Sequence, residues 1–218
     1  MLNKVAISIR AFSVALTLTG GLTLATVAPV AHATPAAVDG ASVEFFRDWI
    51  VAPQAAFDLI KQGALVIDAR GEDLKKKSGT PAGAVALVWQ DLAEPKLPTM
   101  GRPLPVEQAT KKLQGLGISK ERPVVVLGDA IKGWGEDGRV TWLLRAWGHS
   151  RVVLVDGGLG ALEKVGAISI KPAVVPGNFV ASESSQLEIK KEEVKGKLSR
   201  KDVAFLDVRE PREYKGQT

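Results

Sequence analysis

Short apolar runs alternate with amphipathic stretches through the middle of this chain. Residues 64–69, 84–88, 124–127 and 151–155 are brief and rich in Val, Ile and Leu. Such runs predict strands covered on both faces, because a run without polar alternation leaves no face for water. The stretches between them repeat near the helical period. Residues 53–62 place Pro at the first helical position, Ala56, Leu59 and Ile60 on one side, and Gly63 as a stop. Residues 105–116 turn Val106, Ala109, Leu113 and Leu116 inward and end at Gly117. Residues 139–147 carry Val140, Leu143, Leu144 and Trp147 at i, i+3, i+4 and i+7, with Gly148 as a left-handed stop. Asp156-Gly157-Gly158 turns into a further helix, and the prolines of residues 92–104 (Pro95, Pro98, Pro103) mark an irregular loop. Repeated strand-helix-strand order predicts an α/β fold, a parallel sheet with helices on both faces. After about Gly166 the pattern weakens into a linker over residues 166–189, and a short helix over 190–198 opens something new.

What it opens repeats an earlier segment. ALVIDAR, residues 64–70, ends in Asp68-x-Arg70; AFLDVR, residues 204–209, ends in Asp207-x-Arg209, 139 residues on. That offset is a domain length, not a solenoid period. The expected organisation is a complete domain over residues 42–165, the linker, and the truncated start of a second domain over 190–218. In each Asp-x-Arg pair the acid and base are expected to fix the exit of a strand by local hydrogen bonds and an ion pair.

Residues 1–33 read as an export signal. Lys4 and Arg10 form a basic lead, residues 11–30 are uncharged and mostly apolar, and Ala31-His32-Ala33 is an A-x-A cleavage site. The mature chain is expected outside the cytoplasm, in a periplasm or equivalent lumen, with no membrane association after cleavage. Net charge is +5, and losing Lys4 and Arg10 leaves +3. That balance, without a basic-aromatic face, argues against a nucleic-acid partner. Lys75-Lys76-Lys77 and Lys190-Lys191 read as solvated faces. The absence of cysteine removes both disulfides and thiol chemistry from this chain.

Candidate chemistry gathers in GDAIKGWGEDG, residues 128–138, which follows the run at 124–127. Ligands of parallel sheets bind where strands end. Gly128, Gly133, Gly135 and Gly138 let backbone N–H groups converge, and a following helix N-terminus adds positive potential for an anion. Asp129, Lys132, Trp134 and Arg139 complete the candidate loop. Trp134 reads equally as a lid or as loop packing, and Arg139 as a solvated or loop-bracing residue. Trp142 and Trp147 read as core. His149, the one histidine after the leader, follows a helix stop, where a charged imidazolium suits the helix dipole. Asp156-Gly157-Gly158 lacks the spacing of a nucleotide fingerprint, and no cluster suggests a metal.

Four pieces in order resemble the rhodanese-like sulfurtransferases, specifically the two-domain thiosulfate type: VIDAR with TPAGAVALVW, PVVVLGD, GRVTWLLRAWGHSRVVLVDGG, and LDVREPREYKGQT. The resemblance spans roughly residues 49–218. It implies a rhodanese-like three-layer fold and no cofactor. It also implies a cysteine where the strand enters the candidate loop, which takes the outer sulfur of a thiosulfate-like donor and hands it to a thiol or cyanide acceptor. Here that position is Gly128, followed by Asp129, so the loop has no nucleophile. The resemblance implies a Cys-less first domain beside a second that carries the cysteine. The chain alone is expected to be inactive, with the persulfide formed beyond Thr218. A non-catalytic module binding a partner or small anion is the alternative.

Overall fold

The computed structural model describes residues 48–183 and 187–217. The expected export signal at 1–33 lies outside the described residues. Five parallel strands form one sheet: β1 (Ile50–Val51), β2 (Leu65–Asp68), β3 (Val85–Ala86), β4 (Val124–Leu127) and β5 (Val152–Val155), in the order β1-β5-β4-β2-β3. Helices α1 (Pro53–Lys61), α2 (Glu72–Ser78), α3 (Val106–Gly115), α4 (Glu136–Ala146) and α5 (Gly158–Glu163) connect them.

Strand periodicity splits the core in two. Leu65, Ile67, Val124, Val126 and Val152 face α3 and α4, where they meet Ala109, Leu113, Val140, Leu143 and Leu144. Their neighbours Val66, Val125, Leu127, Val153 and Val155 face the other way, toward Ala56, Leu59 and Ile60 of α1 and Leu159 and Leu162 of α5. Alternate residues of a strand point to opposite faces, so a continuous apolar run fills both layers at once. The expected three-layer α/β fold is the observed one.

The elements differ from the expected ones where burial is slight. Strand β1 has two residues at the sheet edge beside β5. Helix α2 occupies residues for which the sequence predicts no element, and none of its side chains is buried. It therefore leaves no apolar stripe to read. The strand expected over 84–88 is only Val85–Ala86, followed by a 3-10 turn at Trp89–Leu92. Helix α4 begins at Glu136, four residues before its first apolar position, Val140, with Gly135 in the left-handed region (φ 83°) ahead of it. Glu136 and Asp137 suit the positive end of that helix.

The expected linker is partly a strap. Ile170, Phe179 and Ala181 are buried, the last two inside the α3–α4 layer. Hydrogen bonds run along its length: Gly177 N–H to Gln114 O (2.8 Å), Phe179 N–H to Ile118 O (3.1 Å), Ala181 N–H to Thr110 Oγ1 (3.0 Å) and Ser182 N–H to Trp147 O (2.9 Å). The buried Arg122 donates to the carbonyls of Gly63, Lys171 and Pro172. Its guanidinium is satisfied by backbone alone, and burial lowers its pKa.

Further on, α6 (Lys191–Lys197) and α7 (Pro211–Tyr214) bury no side chain. Between them Phe205, Leu206 and Val208 are exposed. Helix, apolar run, Asp-x-Arg and helix follow in the same order as α1, β2, Asp68-x-Arg70 and α2. Helix α7 starts two residues after Arg209, as α2 starts two after Arg70.

Candidate functional site

Strands β2 and β4 are neighbours, yet the chain visits the β3 edge between them. The crevice outside their carboxyl ends is therefore the switch point at which parallel sheets place ligands. Two sequence features meet there: Asp68-x-Arg70 after β2 and the loop of residues 128–135 after β4.

Asp68 and Arg70 are both buried. Arg70 Nε and Nη2 donate to Asp68 Oδ1 and Oδ2, each at 2.8 Å, and the Arg70 N–H closes the turn on Oδ1 at 3.3 Å. The same guanidinium reaches Ser78 Oγ (2.8 Å) and Gly79 O (2.6 Å), which ties the end of α2 to the strand exit. The Asp68 hydrogen bond outweighs the cost of burial and raises the Arg70 pKa. Asp207 and Arg209 make the same bonds in solvent, backbone N–H to Oδ1 at 3.0 Å and Nε to Oδ1 at 2.9 Å. There the Arg209 side chain pulls the Asp207 carboxyl down to about 2.

The loop after β4 is occupied by its own acids. Asp129 Oδ1 accepts the N–H groups of Ile131 (3.0 Å) and Lys132 (2.9 Å), and Asp129 O accepts that of Gly133 (2.8 Å). The Lys132 and Ile131 N–H groups, in that order, hold the Asp129 carboxyl below its ordinary value. Trp134 N–H donates to Glu136 Oε2 at 2.7 Å. So three of the N–H groups that glycine spacing suggests for an anion point at carboxylates of the chain itself. Gly128 is buried, its carbonyl accepting Leu159 N–H at the start of α5 (2.9 Å). A Cβ built on Gly128 would collide with the carboxylate of Asp137, in the first turn of α4. The side-chain space at this position is filled by that acid.

The remaining candidates line a cleft of about 690 Å³ between α2, the Trp89 turn and the loop, with Glu72, Trp89, Lys132, Trp134, Glu136 and Arg139 in its wall. Trp134 is 89 % exposed and Ile131 92 %. Arg139 donates to Gly101 O (2.9 Å), and its guanidinium lies 4.7 Å from the Trp142 ring centre and 5.8 Å from that of Trp89. It braces the proline-rich loop, and burial lowers its pKa. Gly133 and Gly135 shape the loop, Gly135 through its left-handed backbone.

His149 is elsewhere, near the amino ends of β4 and β5. The charged imidazolium suggested by the helix dipole is corrected: the ring is 1 % exposed, and burial pushes its pKa down to about 4, so it is neutral at pH 7. Sequence reasoning also passed over Asp137 as an occupant of the loop and Glu136 as a loop brace. Two acids opening a helix are the signal that marks them, once the helix start is set at Glu136.

Residues 52–164 match the family model described as Rhodanese-like domain. The thiosulfate sulfurtransferases of Azotobacter vinelandii and Pseudomonas aeruginosa are each 32% identical to the chain, over 132 and 131 residues. The matches cover 57% and 56% of this chain and 48% of each relative, so the chain spans about half the length of the curated relatives it matches. Among solved structures, the 3-mercaptopyruvate sulfotransferase SseA of Escherichia coli shares the fold, with a TM-score of 0.56 at 22% identity over 68% of this chain and 61% of that one.

Proposed function

The chain belongs to the rhodanese-like sulfurtransferase family, and on that premise we propose that it is the front part of an exported, two-domain thiosulfate sulfurtransferase whose first domain does no chemistry. The observation that carries this reading is the loop after β4. Its first position is Gly128, and the space of a side chain there is taken by the Asp137 carboxylate. The reaction needs a soft, ionised nucleophile. A thiolate attacks the outer sulfur of thiosulfate, the S–S electron pair leaves with sulfite, and a persulfide remains. The acceptor, a thiol or cyanide, then takes that sulfur and returns the thiolate. With Asp137 against Gly128, Asp129 next to it and Glu136 in the same loop, the first domain meets an anionic donor with negative charge.

The nucleophile in this reading sits on a second rhodanese-like unit, opened by residues 190–217. Support comes from the repeated helix, apolar run, Asp-x-Arg and helix, and from the half-length match to the curated relatives. The first domain then shapes and buttresses the catalytic one.

The test is the intact mass of the protein from its native source, followed by a thiosulfate-to-cyanide assay. A mass larger than residues 34–218 by about a domain, with activity lost when that domain's cysteine is changed to serine, supports the reading. A mass equal to residues 34–218, with no activity, overturns it and leaves a non-catalytic binding module.

A further inference from the structure

Away from the candidate site, the buried His149 ring joins three elements. It follows α4, its Nε2 lies 3.1 Å from the Ser119 carbonyl in the turn before β4, and its ring centre lies 4.9 Å from that of Phe179 on the strap. A carbonyl only accepts, so Nε2 carries the proton and Nδ1 bears the lone pair. Nδ1 is buried and has no hydrogen-bond partner among the described residues. We infer that His149 is an acid-sensitive latch: a second proton on its ring releases residues 170–182 from the domain and frees the chain leading to Asp207-x-Arg209.

The geometry makes a charged ring costly in the closed state. A proton on Nδ1 would make a buried cation, and the loss of water outweighs the backbone hydrogen bonds with Ser119 and with His149 itself that favour the charged ring. The charges acting on the ring are Arg145 of α4 and Arg151 ahead of β5, both positive. On the turn before β4, Lys120 and Glu121 are exposed, and Arg122 is committed to three carbonyls. The strap brings only Lys171 among ionisable side chains, with Glu183 just after it. No described carboxylate bonds to the ring. Lifting the strap removes Phe179 from one side of the imidazole and lets water reach Nδ1.

The sign follows from linkage. The closed form holds His149 at about 4, and an exposed histidine titrates near 6.5. The strap is fully held above about pH 6.5 and loses that hold as pH falls toward 4. The opening constant should rise by about two orders of magnitude across that range.

Hydrogen exchange on the full chain reads this directly, with rates corrected for intrinsic pH dependence. Protection of the Phe179, Ala181 and Ser182 amides is expected to fall about a hundredfold from pH 7 to pH 4, while the Val125 and Val126 amides of β4 stay protected. The fall should begin near pH 6.5 and level off near pH 4, where the His149 ring of the closed form, followed by NMR in the same samples, takes up its proton. It should vanish in His149→Gln, which keeps a donor for Ser119 but cannot titrate. Three results would overturn the latch: strap protection unchanged down to pH 4, loss of strap and β4 protection together, or a fall in protection that does not level off at the pH where the closed-form ring titrates. The last comparison uses the unaltered protein, so it decides the matter even if the variant does not fold.

Discussion

Two Asp-x-Arg pairs with the same hydrogen bonds sit in opposite environments, and the environment sets their worth. Asp68 and Arg70 are out of water, so Asp68→Asn strands a guanidinium that still needs its charge balanced. That change is expected to cost about 3–5 kcal/mol, read from the urea midpoint. Asp207→Asn removes the same contacts from solvent and should leave the midpoint where it was. Equal losses in the two variants would mean that burial is not what distinguishes the pairs. Gly128 is the second residue-scale test. Gly128→Cys adds a side chain where the Asp137 carboxylate lies, and lowers thermal stability without gaining sulfur transfer. Pairing it with Asp137→Gly relieves the collision and restores part of the melting temperature. A Gly128→Cys protein as stable as its parent would show that the acid swings away freely. Both Asp-x-Arg pairs were legible from residue order alone, and the family resemblance set Gly128 against the position of a cysteine. The Asp137 contact was not legible, because it depends on a helix starting four residues before its first apolar position.

Helices with a buried face carry their own signature in the chain. In α3 and α4 the inward residues recur at helical spacing, and both elements were readable, α4 apart from its first turn. Helix α2 keeps no residue buried, so its existence rests on local propensity and on Arg70 gripping its far end. The energetic contrast follows. Leu143→Ala in α4 opens a cavity in the larger layer and should cost about 2–5 kcal/mol. Lys76→Ala in α2 loses only an exposed pair with Glu72 and should change stability by less than about 0.5 kcal/mol. Denaturant curves on the two variants test this, and a large loss at Lys76 would contradict the exposed placement of α2.

At the scale of the whole molecule, the parallel sheet with a helical layer on each face follows from four apolar runs, since such a sheet needs strands covered on both faces. The strap was hidden for the converse reason. Residues 170–182 have no period, and what holds them is a set of backbone and side-chain bonds to distant partners: Gln114, Thr110, Arg122 and Trp147. Only a folded domain brings those together. His149 belongs to this scale as well. Because its folded-state value of about 4 lies below the ordinary one, the domain loses stability as pH falls from about 6.5 toward 4. His149→Gln should flatten that part of the pH–stability curve, as measured by urea denaturation at a series of pH values.

The strap also sets a point of departure. It releases the chain beside Trp147, at the carboxyl end of α4, whereas the glycine loop lies at the other end of that helix. Eleven residues of helix span about 16 Å. The strap therefore hands the chain on about one helix length from the loop, at the far end of the sheet, so a longer or shorter α4 would move that departure point relative to the loop.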